Sequence, residues 1–536
     1  MPRITVNGRI IEVPEGRTIL EALDDLGLLM NGVDIPHYCW HPKLPVDGSC
    51  RLCQVEVEGA PKLQIACNTP VTEGMAIRTD TESVSKAREG VMELLLVNHP
   101  LDCPICDQAG ECKLQDYAYE YGAKESRTRE PRQALKKRVE IGPRVVFDQE
   151  RCILCRRCVR FCKEITGTKE LRIFNRGDRS VVDAYPGFPL DNDYSMNVVD
   201  LCPVGALTSK DFRFKIRSWF LEEVPGVCTG CANGCNVYMG VANNKVYRFV
   251  PRRNDDVNDT WLCDAGRLSY EQIGSGDRLR SPLARAGEGP AEPTGYDAAL
   301  AEAAERLQRV VDEKGAGSVV ALASPHATNE DLFTFHRFAS ALGVGAAGVA
   351  VVSGNDDDLL IKAEKAANAV GARAIGFEDA AGALEKIRGG EAAAAVVMGH
   401  DLLDEAHLGG ADALGGLQAL IVLDTHQSAL QGVAHVSFPV RHAAEKLGTL
   451  TNHAGRVQRV RPALEPAWEA WTEGEVIAKL GAALGLEGFD GCYDVHSVSK
   501  LLAEANPAFA GVHLGSVGDQ GRPLAGAGEA VEGEQP

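Results

Sequence analysis

The residues of this chain whose type and spacing could carry chemistry are its cysteines. Of seventeen, fifteen fall in four groups before residue 264. Gaps of two and three residues suit metal binding better than disulfide pairing. The first group is Cys39, Cys50, Cys53 and Cys67, spaced C-x10-C-x2-C-x13-C. The second lies in NHPLDCPICDQAGEC (98–112) and comprises His99, Cys103, Cys106 and Cys112. The third is Cys152, Cys155 and Cys158 of RCILCRRCVRFC, with Cys202 of LCPVGAL far downstream. The fourth is Cys228, Cys231, Cys235 and Cys263, spaced C-x2-C-x3-C-x27-C.

Each spacing argues for a particular centre. The inner pair and remote fourth cysteine of the first group follow the layout of plant-type ferredoxins, which hold a 2Fe-2S cluster, although the first gap here is longer. A C-x2-C-x2-C triplet completed by a remote Cys-Pro is the bacterial 4Fe-4S pattern, which assigns Cys202 to the third group. It leaves Cys162 as a buried free thiol. Three ligands from one tight loop and one from afar make the fourth group a 4Fe-4S site rather than a zinc ribbon with two knuckles. Cys3His is also an ordinary zinc set, so the second group alone cannot choose. With iron-sulfur patterns on all sides, it is read as a 4Fe-4S site with one imidazole. A neutral imidazole in place of a thiolate leaves such a cluster less negative and easier to reduce. The partition closes at sixteen ligands, four per site. Cys492 of FDGCYDV has no neighbours and reads as a small apolar residue. Arg156, Arg157 and Arg160 either offset cluster charge or are solvated charges, and the two readings weigh equally.

These groups need small folded frames. At 536 residues the chain is multidomain. RITVNGRIIEV (3–13) is two β-branched runs joined by Asn7-Gly8, a hairpin signal, and Thr18 caps a helix through ILEALDDLGLL. Hairpin then helix is how a β-grasp ferredoxin begins, giving a domain over 1–82. Residues 83–145 are mainly helical or irregular, 146–219 form a second ferredoxin-like unit, and 220–283 carry the fourth group. ARAGEGPAEPTG (284–295) reads as a linker. Beyond it, Ala-rich helical stretches alternate with apolar runs at 318–324, 392–399 and 417–424, the pattern of a parallel sheet flanked by helices. The tail 515–536 reads as disordered.

The net charge of −19 argues against nucleic acid as a partner. The one basic stretch, KESRTREPRQALKKR (124–138), is read as solvated or partner-facing. No apolar run reaches a membrane span and the N-terminus lacks a signal-peptide layout, so a soluble, non-exported protein is expected. No Gly-rich dinucleotide fingerprint and no nucleophile or general-base motif is found, so no catalytic residue is expected in this chain.

The order of the four ligand sets resembles the large iron-sulfur subunit of NADH:quinone oxidoreductase, respiratory complex I. AEKLGTLTNHAGRVQRV (444–460) is similar to the molybdopterin oxidoreductase superfamily. The resemblance implies a multidomain α+β and α/β protein. Its parts would be an N-terminal β-grasp 2Fe-2S domain, two 4Fe-4S domains, a molybdopterin-oxidoreductase-type 4Fe-4S domain at 220–283, and a shortened molybdopterin-oxidoreductase-like α/β domain at 284–514. It implies one 2Fe-2S cluster and two 4Fe-4S clusters on an electron route, with a third 4Fe-4S cluster off that route. No molybdopterin is expected, since catalytic relatives often use a Cys, selenocysteine or Ser ligand and the only cysteine here is Cys492. The implied function is electron transfer from a flavin- and NADH-binding subunit to quinone-side iron-sulfur subunits, at the cytoplasmic face of a bacterial inner membrane and without a membrane span of its own. The alternative is an iron-sulfur and molybdenum catalytic subunit of an NAD-linked formate dehydrogenase. An iron-only hydrogenase would need further cysteines after Cys263, and a structural zinc scaffold would be redox-silent.

Overall fold

The computed structural model describes residues 1–123, 125–285, 287 and 289–526. The chain divides into two compact units, residues 1–221 and 222–536.

The first unit opens with a five-stranded sheet whose order is Arg9–Glu12, Arg3–Val6, Ala76–Arg78, Gln54–Val57, Gln64–Ile65. Asn7 and Gly8 both take positive φ, 49° and 83°, as the two-residue turn of a twisted hairpin demands. Arg3–Val6 then pairs parallel with Ala76–Arg78, so the ends of the domain close its sheet. The helix Ile19–Asp25 packs Ile19, Leu20, Ala22 and Leu23 beneath that sheet. Its start is fixed reciprocally, since the Glu21 N–H donates to the Thr18 hydroxyl and the Thr18 N–H to the Glu21 carboxylate. This is the expected β-grasp frame. Next come the helices Glu82–Leu96 and Lys113–Tyr121, two small sheets, and the short helices Arg157–Arg160 and Asn197–Leu201.

The second unit begins with an antiparallel sheet of Glu222–Val227, Asn236–Ala242 and Lys245–Pro251. An eight-stranded sheet follows, six of whose strands run parallel. The order of those six is Val436–Pro439, Ala419–Asp424, Ala394–Met398, Val319–Ala323, Ala346–Val349, Glu378–Asp379. Winding therefore reverses between Val319–Ala323 and Ala394–Met398, a doubly wound arrangement. The apolar runs are continuous because both faces are covered. Val319, Ala321 and Ala323 enter one core, while Val320 and Leu322 enter the other.

Two expectations are corrected. The stretch 284–295 is not a free linker: Leu283–Arg285 and Ala291–Pro293 form a hairpin on the sheet's edge, with Leu283–Arg285 antiparallel to Val436–Pro439. Proline and glycine read as linker composition, yet Pro293 ends an edge strand, where its missing N–H breaks no ladder. The tail is ordered over 515–526: Val517 and Leu524 are buried, and Arg522–Pro523 pairs with Arg456–Val457. The remainder of the expected disordered tail, 527–536, lies outside the described residues, as does Lys124 of the basic stretch. Among the described residues no helix is long and apolar enough to cross a membrane.

Candidate metal centres

The loops carrying the cysteines hold non-glycine residues in the left-handed region: Arg51 at φ 58° in the first group, Leu154 and Arg156 at 55° and 63° in the third. Each costs about 1–2 kcal/mol. Such conformations turn successive N–H groups into a concavity that favours anions, a recurrent feature of iron-sulfur loops. The Leu154 N–H does point at a thiol, 3.4 Å from Cys152 Sγ.

In the first group the Sγ atoms of Cys39 and Cys50 lie 3.4 Å apart. Hydrogen bonds from Cys50 and Cys67 hold the Cys39 thiol below its usual range, and Cys53 and Cys67 share another. All four are thus in one place. In the third group Cys152, Cys155, Cys158 and Cys202 line one cavity. Burial raises all four thiols, Cys202 to about 12. Cys162 does not line that cavity; it is fully buried beside Glu170.

The second group spans a three-residue turn, Cys103–Ile105, and the start of the helix Lys113–Tyr121. Cys103, Cys106 and Cys112 act on one another electrostatically, and burial raises Cys112 to about 11. His99 borders a different cavity, of about 180 Å³, which also reaches Cys152. Its Nδ1 is buried without a hydrogen-bond partner. Burial lowers its pKa to about 4, which keeps the ring neutral and able to ligate. His99 and Cys106 share the electrostatic influence of Asp102 and Arg151, themselves paired at 2.7 Å. Lys137, from the basic stretch, is 3.2 Å from Asp102, so part of that stretch is tied to the second group rather than free in solvent.

In the fourth group all four thiols influence one another, although Cys263 comes from far along the chain. An added Cβ on Gly266 would lie 3.0 Å from Cys228 Sγ and 3.2 Å from Cys263 Sγ, so a larger residue would crowd both sulfurs at this helix start. The Gly266 N–H donates to Cys263 Sγ and the Asn233 amide to Cys235 Sγ at 3.1 Å. The segment 444–460 braces this loop: Gln458 donates to Gly234 O at 2.9 Å and Asn452 to Asn233 O at 3.2 Å.

Neighbouring groups in the first unit adjoin. Arg160 donates to Cys39 O and to Cys155 O, linking the first and third groups. Gly205, three residues after Cys202, abuts the second: an added Cβ would stand 2.2 Å from Cys106 Sγ. Neither contact was legible in the spacings. Gly205 and Gly266 are ordinary glycines by sequence, and Asn233 had no signal beyond lying within the cysteine loop.

A 2Fe-2S cluster seats two ligands on each iron, and a 4Fe-4S cluster one ligand on each of its irons. Buried thiols with raised pKa values, a neutral imidazole with an unpartnered nitrogen and N–H groups aimed at sulfur are the donor chemistry such clusters require.

At the winding reversal of the large sheet, where open α/β sheets receive ligands, the polar groups are paired internally. His400 Nδ1 is 3.0 Å from Asp424, which pushes the imidazole up to about 9, and Ser324 donates to Asp401 at 3.2 Å. Cys492 is exposed.

Comparison with known families follows these boundaries. The 2Fe-2S iron-sulfur cluster binding domain matches residues 2–82. The NADH-ubiquinone oxidoreductase-G iron-sulfur binding region matches 88–127 and the NADH-quinone oxidoreductase subunit 3 ferredoxin-like domain 142–208. The molybdopterin oxidoreductase Fe4S4 domain matches 221–275 and the molybdopterin oxidoreductase family 346–483. Fold and sites define an iron-sulfur protein with 2Fe-2S and 4Fe-4S binding domains and a molybdopterin-oxidoreductase-type C-terminal part.

Within that class, the chain is similar to G-type iron-sulfur subunits of NADH-quinone oxidoreductase. The protein of that type from Rickettsia bellii (strain RML369-C) is 40% identical over 343 residues, 64% of this chain and 49% of the relative. The NADH dehydrogenase [ubiquinone] iron-sulfur protein 1, mitochondrial, of Solanum tuberosum is 40% identical over 59% of this chain and 42% of its own length. The NADPH-Fe(3+) oxidoreductase subunit alpha of Geobacter sulfurreducens (strain DL-1 / KN400) is 38% identical over 64% of this chain and 40% of its own. The chain spans about half the length of the curated relatives it matches.

Proposed function

We propose that this chain is an electron-transfer subunit of an NADH:quinone oxidoreductase. It relays single electrons from a flavin- and NADH-binding partner towards quinone-side iron-sulfur partners, as a peripheral subunit at the cytoplasmic face of a bacterial inner membrane. The observation that carries the reading is the run of adjoining thiol groups in residues 39–205, joined by Arg160 and by Gly205. A 2Fe-2S cluster would be held by Cys39, Cys50, Cys53 and Cys67. The 4Fe-4S clusters would be held by His99, Cys103, Cys106 and Cys112; by Cys152, Cys155, Cys158 and Cys202; and by Cys228, Cys231, Cys235 and Cys263. Iron-sulfur clusters bound there supply reversible one-electron redox chemistry. The chain's part is to bury the ligands, exclude water and fix the separations. The third group adjoins both the first and the second, which suits a middle station of the route.

The C-terminal domain is a brace in this reading, without molybdopterin. The segment 444–460 holds the fourth cysteine loop, and His400, Asp424, Ser324 and Asp401 are engaged with one another at the winding reversal. The Geobacter relative is named for a different donor and acceptor. A subunit that carries electrons between partners, touching neither nicotinamide nor final acceptor, would serve either assembly.

The test is iron, acid-labile sulfide, zinc and molybdenum per chain on anaerobically prepared protein, with EPR after reduction. About fourteen irons, one 2Fe-2S and three 4Fe-4S signals and no molybdenum are expected. Stoichiometric molybdenum would move the reading to a formate-dehydrogenase-type catalytic subunit, and zinc without iron would end both.

Gly205→Ala supplies a local check. The added methyl collides with Cys106 Sγ, which must move together with the turn it belongs to. The variant is expected to lose about four irons per chain with the 2Fe-2S signal intact. Full iron content would separate Gly205 from the second centre.

A further inference from the structure

The ligand assignments leave the contact between the first and third groups unexplained. Three arginines of RCILCRRCVRFC reach back to residues 39–47. Arg156 Nη1 is 3.5 Å from Asp47 Oδ1. Arg157 donates to Trp40 O and, at 3.4 Å, to Leu201 O, thereby tying the residue after Cys39 to the residue before Cys202. Arg160 donates to Pro45 O, to Cys39 O and, at 3.5 Å, to Cys155 O. One guanidinium thus spans a ligand of each group, and a second braces the flanks of both.

Carbonyl oxygens alone do not account for this arrangement. Taking a guanidinium out of water costs several kcal/mol unless negative charge compensates it, and carbonyls carry only partial charge. The charge on offer is that of the thiolates a bound cluster would hold, and Arg157 interacts electrostatically with Cys155, Cys39 and Cys50 together. In addition, the Nε–H of Arg157 and that of Arg160 are buried without an acceptor. A buried unmet donor costs about 1–3 kcal/mol. Anionic centres on both sides of the pair would resolve both anomalies, and hydrogen bonds to cluster sulfur are one of the levers that set cluster potentials.

We infer that Arg157 and Arg160 are positioning residues shared by the first and third metal centres, locking the Cys39 loop onto the Cys155 loop and holding positive charge between the two. That charge favours the reduced, more negative form of each centre, so it raises both potentials. The inference rests on the reading of these groups as iron-sulfur clusters. The step it serves is the passage of one electron from one reduced centre to the other, oxidised one, with no bond made and no proton moved.

The experiment is an EPR-monitored redox titration of the cluster-loaded full chain with Arg157→Gln, Arg160→Gln, Arg160→Lys and Arg156→Gln. Arg157→Gln and Arg160→Gln are each expected to lower the midpoints of the 2Fe-2S and the third-group 4Fe-4S signals. The expected size is at least a tenfold change in reduced-to-oxidised ratio at fixed potential, about 59 mV for one electron. Arg160→Lys keeps the charge and loses the fork that spans three carbonyls. Its potentials should return most of the way to those of the parent. Arg156 is exposed and makes one long contact, so Arg156→Gln should leave both signals in place. Parent-like midpoints in both Arg→Gln variants would overturn the inference, as would a shift confined to one centre or a failure of lysine to restore the potential. Should Arg160→Gln lose its iron, Arg157→Gln and Arg160→Lys decide by the same criteria. Absence of both signals in the parent chain sinks the cluster reading itself, whereas parent signals with unmoved variants sink only the arginine pair.

Discussion

Cys202→Ala is expected to strip about four irons from each chain, while Cys162→Ser leaves the iron content unchanged. The two cysteines are the alternative fourth ligands of the same triplet, and by proximity in sequence Cys162 is the natural candidate. The structure places them differently. Cys202 lines the cavity shared with Cys152, Cys155 and Cys158, and Cys162 lies outside it beside Glu170. Helical geometry explains the separation: Cys162 is the second residue of the wide turn Phe161–Ile165, which continues the helix Arg157–Arg160 away from the loop. Its thiol is pushed up to about 12 by burial, with the Glu170 carboxylate adding to the effect. A serine there keeps the volume and the hydrogen bond. Alanine at 202 leaves three buried thiols with no fourth ligand. Iron analysis and the third-group EPR signal read the outcome, and a Cys162→Ser chain short of about four irons would reverse the assignment.

The first domain was legible because its signals are local. Asn7-Gly8 can form only a tight turn, and Thr18 with Glu21 caps the helix within four residues of chain. The apolar runs of the large sheet were legible for a different reason: burial on both faces removes every polar residue from Val319–Ala323, Ala394–Met398 and most of Ala419–Asp424. Short strands with small or mixed side chains escape a reading from apolar runs. Ala346–Val349, with the sequence AAGV, lies in the same sheet, and the stretch 284–295 reads as linker although Leu283–Arg285 and Ala291–Pro293 pair there, because an edge hairpin needs no continuous hydrophobic face. In the metal centres, ligand types and their grouping follow from spacing, because a tight loop brings C-x2-C sulfurs together whatever surrounds it. What spacing cannot express is which loop lies against which. Gly205 against Cys106 and Arg160 against Cys39 are tertiary contacts across 99 and 121 residues, and each side looks ordinary alone.

His99→Cys should keep a cluster in the second group and lower its potential. The imidazole at this position is neutral, with burial holding its pKa near 4, so at pH 7 it contributes no charge to a bound iron. A thiolate adds one negative charge to the reduced and oxidised forms alike, and the reduced form, already the more negative, is disfavoured more. Exchanging two thiolates for two imidazoles separates Rieske from plant-type centres by at least about 250 mV, so one exchange is expected to move this centre down by roughly 100 mV. The nearby charges moderate the shift without cancelling it: Arg151 is paired to Asp102 and Asp148 and Lys137 to Asp102 and Glu150, leaving little free positive charge to answer a new anion. Cysteine is shorter than histidine, so the variant either ligates at lower potential or loses about four irons. A lowered potential with the iron retained makes residue 99 a ligand. A second-group signal with the parent potential and full iron content would remove His99 from the set and leave its unpartnered Nδ1 to be satisfied from the adjoining cavity. Because that cavity also borders Cys152, a redox titration following both signals tells the cases apart. A ligand exchange moves the second centre by far more than the third, whereas a change in the polarity of the cavity moves both by similar amounts.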